Sequence, residues 1–203
     1  MSAVLVSAVV PVKDLRGTKS RLAPVLDPWA RAGLTLYMMG RVVGAIREAG
    51  IGDVCVVSPD RTVLEEAERR GATPLLQESR GLNPALEEGR RRALRLGASA
   101  LLVLPADLPL LEAADVRAIL KEAGEGPSAV VSPDGSRAGT NALLMRPPDV
   151  LPFAFGADSF EAHVGAASRR SLEVRICERP HLAFDLDTAG DLARLRKTGA
   201  TYP

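Results

Sequence analysis

The chain has 203 residues, enough for one domain with a substantial core. Apolar residues make up 46% and charged residues 25%, and the formal net charge is +1, so there is no strong field to hold a polyanion, and nucleic acid and membrane surfaces are poor partners. No charged-then-apolar leader opens the sequence, no apolar run reaches the ~18 residues of a membrane span, and Cys55 and Cys177 lie in apolar runs without disulfide or zinc spacing; a cytoplasmic protein with buried thiols is expected.

Val4–Val10 is rich in β-branched residues and reads as a first buried strand, ended by Pro11. Val12–Val25 has no sustained periodicity and reads as a loop. Asp27-Pro28 supplies an N-cap with proline at the first helical position, and a long helix follows to about Ala49. Strand Val54–Val57, helix Thr62–Arg70, strand Thr73–Leu76, loop Glu78–Asn83 and helix Pro84–Leu96 come next. The apolar run Leu101–Leu104 then reads as a strand buried on both faces, and a helix from about Glu112 to Ala123 completes four strand–helix units. That alternation is the signature of a parallel sheet with right-handed crossovers.

The second half is less regular. Ala129–Val131 is a strand, Pro133–Gly139 a loop, Ala142–Met145 a short apolar run, Leu151–Gly156 irregular and Ser159–Ala167 a helix. Leu172–Ile176 alternates apolar and polar residues, which suggests an exposed or antiparallel strand. Phe184–Thr188 leads into a last helix, Ala189–Arg196. One α/β domain is expected over the whole chain, with a mostly parallel, Rossmann-like sheet flanked by helices.

Six places could carry chemistry. Asp107 is the only charge in Leu101–Leu111, LLVLPADLPLL, at the carboxyl end of a central strand, where open α/β sheets bind ligands. It reads equally well as a metal or substrate ligand and as a turn former or cap. The Val12–Val25 loop follows the first strand, where a phosphate tail would lie, and carries Lys13, Arg16, Lys19 and Arg21 beside Gly17 and Thr18. Only four cations in the chain are lysines, against 22 arginines, so Lys19 with Arg21 favours function, while Arg16 reads as solvated. Neither GxxxxGK[ST] nor a GxGxxG after a strand is present, which excludes a P-loop NTPase and argues against a dinucleotide-binding dehydrogenase.

In FDLDT, Asp185 and Asp187 stand at i and i+2, so an extended backbone points both to one side. Like charges held so close suit a divalent cation such as Mg²⁺, and capping of the last helix by Asp187 or Thr188 remains open beside that reading. Gly156, Asp158 and Ser159 precede a helix and offer either an anion site or a plain cap. His163, about one turn into that helix, is at best a supporting residue. Thr140 and Asn141 after Gly139, and Gly81 and Asn83 at a helix entry, offer polar contacts or simply form turns; the Gly81–Asn83 backbone and amide could meet a base edge. His181 suggests nothing, and Arg90, Arg91, Arg92 and Arg95 read as a solvated helix face.

Taken in order, PVKDLRGTKSRLAP (Pro11–Pro24), GLNPAL (Gly81–Leu86), LLVLPADLPLL (Leu101–Leu111), GTNALLMRPP (Gly139–Pro148), FGADSF (Phe155–Phe160) and FDLDT (Phe184–Thr188) resemble the 2-phospholactate guanylyltransferase family, also described as phosphoenolpyruvate guanylyltransferases. That family belongs to the molybdopterin-nucleotidyltransferase-like superfamily. The resemblance covers Val10 to about Leu195. It implies a nucleotide-diphospho-sugar-transferase-like fold, and transfer of GMP from GTP to the phosphate of a small phosphorylated three-carbon acid in coenzyme F(420) biosynthesis. It implies two Mg²⁺ ions held at Asp107, Asp185 and Asp187, acceptor contacts at Thr140, Gly156 and Ser159, and a triphosphate on the Lys13–Arg21 loop. A GTP-binding half of about residues 1–110 and an acceptor and metal half of about 111–200 follow from this, and a homodimer is left open. The loop departs from the glycine-rich GxGxR form of sugar nucleotidyltransferases. The rival readings are a related nucleotidyltransferase acting on 3-phosphoglycerate, a molybdopterin or a sugar phosphate, and a non-catalytic nucleotide-binding module.

Overall fold

The computed structural model describes residues 5–199; Val4, the expected start of the first strand, lies outside them. Seven strands form one sheet: β1 (Val6–Pro11), β2 (Asp53–Ser58), β3 (Thr73–Leu76), β4 (Ala100–Val103), β5 (Ser128–Pro133), β6 (Thr140–Arg146) and β7 (Glu173–Ile176), in the order β3-β2-β1-β4-β6-β5-β7. The helices are α1 (Pro28–Glu48), α2 (Arg61–Arg69), α3 (Leu82–Arg95), α4 (Ala113–Glu122), α5 (Ser159–Ser168) and α6 (Ala189–Lys197). Strands β1 to β4 are mutually parallel, as the alternation of elements requires. β6 alone runs against its neighbours β4 and β5.

The pleat sorts the strand residues cleanly. Ala8, Val10, Val54, Val56, Leu102 and Leu104 face one way and pack on Met39, Val43 and Ile46 of α1, Val63 of α2 and Ile119 of α4. Val9, Cys55, Val57, Leu101 and Val103 face the other way, against Leu86 and Ala93 of α3 and Phe160 and Ala167 of α5. Burying each large side chain on these two faces stabilises the fold by roughly 1.5–3 kcal/mol. A third cluster, Leu22, Leu34, Met38, Phe184, Leu186, Leu192 and Leu195, ties the loop after β1 to the chain's last helix.

Local signals set the helix ends. The Asp27 carboxylate accepts from the Ala30 amide at 2.8 Å with Pro28 in the first turn. Thr188 accepts from the Asp191 amide, and Asp191 answers by accepting from the Thr188 amide. Both cysteines are free and buried. Among the described residues no helix is long and apolar enough to cross a membrane.

Three expectations change. Leu172–Ile176 yields an exposed edge strand, but β7 pairs parallel to β5; its alternation reports one-sided burial at the sheet edge rather than strand direction. Thr140 and Asn141 are not loop residues: they begin β6 and are buried. The arginine run is not wholly solvated. Arg90 is buried, donates to the Leu151 carbonyl at 2.8 Å and lies 3.8 Å over the Phe153 ring. Arg92 grips Asp53 with two nitrogens at 3.0 and 2.8 Å, while Arg91 and Arg95 remain exposed.

Candidate active site

A cavity of about 840 Å³ opens at the carboxyl ends of β3, β1 and β4. Its walls include Lys13, Lys19 and Arg21 from the loop after β1, Gln77–Gly81 from the loop after β3, and Asp107 and Asp187. This is the crevice at which open α/β sheets place ligands.

The loop after β1 is held by its flanks and strained at its middle. The Leu15 amide donates to Asp60 at 3.0 Å, the Thr18 and Thr35 hydroxyls meet at 3.0 Å, and Leu22 is buried in the third cluster. Between these anchors Lys19 adopts φ 48°, ψ 43°, a left-handed conformation that costs a non-glycine residue roughly 1–2 kcal/mol. In that conformation its ammonium donates to Asp107 Oδ2 at 2.9 Å and Asp187 Oδ1 at 2.7 Å. Burial works against the Lys19 charge, but Asp107 and Asp187 outweigh it and hold the ammonium above the ordinary lysine range. Lys13 and Arg21 are exposed on the same wall. Arg16 instead pairs with Asp14 outside, as a solvated residue would.

The two acidic segments are joined by backbone. The Leu186 amide donates to the Asp107 carbonyl at 3.0 Å, so FDLDT runs alongside the turn after β4. Phe184 and Leu186 are buried, which turns Asp185 and Asp187 to the other side, as the i, i+2 spacing predicts. Burial first, then the nearby Asp107 charge, raises the Asp185 carboxyl above the usual carboxylate range; the Asn141 amide at 3.4 Å works the other way. Asn141 also donates to the Leu182 carbonyl at 2.8 Å, fixing the approach to FDLDT.

The remaining residues form a second group beside the cavity, and only Phe155 of that segment lines it. Thr140 Oγ1 lies 3.0 Å from His163 Nδ1, and His163 Nε2 accepts from the Ala154 amide at 3.1 Å. With Nε2 accepting, the proton sits on Nδ1 and points at Thr140, which leaves the threonine hydroxyl free to donate elsewhere. Burial lowers the His163 pKa to about 4, so the ring is neutral at pH 7. Gly156 has φ +140°, a conformation open to glycine, and Ser159 is the buried first residue of α5. Asp158 stands at the helix start but left-handed, and its side chain does not cap. Asn83 is engaged at both ends of its amide, donating to the Phe155 carbonyl at 3.0 Å and accepting from the Phe155 amide at 2.9 Å. It therefore braces the Phe155 segment, which lines the cavity. Gly81, at φ +103°, turns the chain into α3 on the cavity wall.

Sequence reasoning passed over Glu88. Buried on α3, it accepts from the Glu78 amide at 3.1 Å, the Ser79 amide at 2.8 Å and the Ser79 hydroxyl, and so clamps the loop after β3. Burial opposes its charge, yet these bonds hold its carboxyl below the usual range. A charged residue inside a helix gives no sequence signal of such a role.

A family described as "Guanylyl transferase CofC like" matches residues 6–201. A phosphoenolpyruvate guanylyltransferase of Rubrobacter xylanophilus is 66% identical over 194 residues, covering 96% of this chain and 95% of that protein. One of Sphaerobacter thermophilus is 46% identical over 189 residues, covering 93% and 91%. Among solved structures, a candidate nucleotide-diphospho-sugar transferase from Desulfovibrio desulfuricans G20 aligns with a TM-score of 0.77 at 18% identity over 98% of this chain and 89% of that one. A CMP:2-keto-3-deoxy-manno-octonic acid synthetase complexed with CTP aligns at 0.61 and 18% identity over 96% and 98%. The fold is thus that of nucleotide-diphospho-sugar transferases.

Proposed function

This chain belongs to the CofC-like guanylyl transferase family, and from that premise we propose that it transfers GMP from GTP to the phosphate of phosphoenolpyruvate, with 2-phospho-L-lactate as the alternative acceptor, releasing pyrophosphate. It is a nucleotidyltransferase; a purely binding module is set aside. Phosphoenolpyruvate is preferred because the relatives at 66% and 46% identity carry that name. We assign the reaction to coenzyme F(420) biosynthesis and to the cytoplasm, a compartment that suits the free thiols of Cys55 and Cys177.

The observation that carries the reading is Lys19, held between Asp107 and Asp187 on the floor of a cavity whose wall also bears Lys13 and Arg21. In the reaction proposed, an acceptor phosphate oxygen attacks the α-phosphorus in line and pyrophosphate leaves on the opposite side. The acceptor phosphate is already anionic at neutral pH, so no general base is needed. Lys13, Lys19 and Arg21 then act by position and charge, countering repulsion between two polyanions where phosphate charge gathers. Thr140, Gly156 and Ser159 are assigned to the acceptor, with the Thr140 hydroxyl aimed by His163.

We also assign two Mg²⁺ ions to Asp107, Asp185 and Asp187. The donor chemistry fits: all three are oxygen donors, Asp107 and Asp187 share one ammonium, and Asp185, its carboxyl raised by burial and then by the Asp107 charge, has no ion pair among the described residues. When bound, such ions would neutralise the charge shared by attacking and leaving phosphate oxygens. Pyrophosphate release with GTP and Mg²⁺, measured with phosphoenolpyruvate, 2-phospho-L-lactate and 3-phosphoglycerate in turn, tests the reading. The fastest release is expected with phosphoenolpyruvate; no release with any of the three would point to a pterin or sugar phosphate acceptor instead.

A further inference from the structure

The cavity has two chemically different ends. Asp107 and Lys19 stand by β4, and the Gln77–Gly81 loop stands by β3. In the order β3-β2-β1-β4 these ends are three inter-strand steps apart, about 14 Å at ~4.8 Å per step. That separation matches an extended nucleotide lying across the strand ends, phosphates on the cations and base against the loop after β3.

Guanine differs from the other bases in presenting two donors side by side on one edge, the ring N–H and the exocyclic amine. A carboxylate is acceptor-only and has two oxygens, so one Asp or Glu meets both donors. Four carboxylates line the cavity: Asp14, Glu78, Asp107 and Asp187. Asp14 is taken by Arg16, and Asp107 and Asp187 hold Lys19. Among the described residues, the Glu78 side chain alone of the four has neither a hydrogen bond nor an ion pair. Its backbone, in contrast, is fixed. Glu88 grips the Glu78 and Ser79 amides, and the Gln77 amide donates to the Ser79 and Gly81 carbonyls. A free carboxylate on an immobilised backbone leaves only the exposed side chain to be ordered on binding.

We propose that Glu78 is the guanine-specificity residue, its carboxylate accepting from the ring N–H and exocyclic amine of the base, with Glu88 as the buried clamp that positions it. This deepens the proposed function and rests on a guanine nucleotide being the donor. Adenine is rejected at the same point, since it turns a ring acceptor toward the carboxylate.

The test measures calorimetric binding and pyrophosphate release, with phosphoenolpyruvate as acceptor, for GTP, ITP and XTP in the native protein, Glu78→Gln and Glu78→Ala. ITP lacks the exocyclic amine, and XTP carries a carbonyl in its place. The native protein is expected to prefer GTP over ITP by about 10- to 100-fold, the discrimination of one good bidentate contact. Both variants should bring that ratio to within a few-fold. Glu78→Gln should also improve XTP relative to GTP, because an amide can donate to the new carbonyl while accepting from the ring N–H. The same GTP-to-ITP ratio in all three proteins would overturn the assignment. Guanine-selective binding lost in both variants, without pyrophosphate release from the native protein, would support Glu78 and fault the reaction instead.

Discussion

Two knots of acid and cation flank the turn from β4 into α4, and they are built to opposite specifications. At Asp107, the side chains of Asp107 and Asp187 are 29% and 43% exposed and share a single ammonium from a strained loop. At Asp115, the carboxylate is 1% exposed and both its oxygens are engaged: Arg179 Nε at 3.0 Å, His181 Nδ1 at 3.0 Å and the Glu112 amide at 3.1 Å. Ligand atoms of Glu112, Asp115 and His181 converge within 4.8 Å, yet both Asp115 oxygens are already committed to donors of the protein itself. Proximity of acids therefore does not distinguish the proposed site. Unanswered lone pairs facing a cavity do. The Asp115 knot is a clasp that fastens residues 179–183, the approach to FDLDT, against α4.

The two knots should fail differently. Asp107→Asn is expected to lose roughly 100-fold or more in turnover, since it removes an assigned metal ligand, with its thermal midpoint close to the native value. Near-normal pyrophosphate release from that variant would erase the distinction. Asp115→Ala should do the reverse, costing about 2–3 kcal/mol of stability through lost charge-assisted bonds and a lost cap. Arg179 and His181 are about 40% exposed and can rehydrate, which keeps the cost below that of a fully buried pair. A melting scan should fall by roughly 5–10 °C, with turnover per folded molecule far less affected than in Asp107→Asn. A stable but inactive Asp115→Ala would reverse the roles of the two knots.

His163 sharpens the contrast through pH. Its folded pKa of about 4 lies below the ordinary 6.5, so the unfolded chain binds the proton more readily. The stabilising contribution is then complete above pH 6.5 and is lost as pH falls toward 4, reaching about 1.4 kcal/mol at pH 5.5. Urea titrations at pH 7.5 and 5.5 should show that difference in the native protein and its absence in His163→Gln. The smallest effect is expected at Ser159→Ala, where losing one hydrogen bond weakens acceptor binding by about 3- to 10-fold. Equal losses for GTP and acceptor would move Ser159 out of the acceptor group.

Much of this could be read from the chain. The strands were legible because their burial on two faces demands unbroken apolar runs, and Asp107 stood out as the only charge in such a run, though a turn or cap would explain it equally well. Asp185 and Asp187 were legible through period two, and Lys19 through the scarcity of lysine. The clamps were not. Glu88 meets Ser79, Arg90 meets the Leu151 carbonyl, Asn83 meets Phe155, and Asp115 meets Arg179 from 64 residues away. Each pairs a common surface residue with a backbone group or side chain that only the fold brings near, and neither periodicity nor local spacing encodes such a meeting.

The reversed strand β6 has a consequence for how the proposed acceptor side can change. Because it runs against β4, its first residues emerge where the other strands finish, and so Thr140 and Asn141 reach the ligand edge within the strand, Thr140 opposite Pro133 and Asn141 at the bulge beside it. A loop tolerates insertion; a paired strand does not, since a slip of one residue sends every side chain to the opposite face. Drift in length should therefore accumulate in the Asp134–Gly139 turn, and acceptor preference should change by substitution at fixed register.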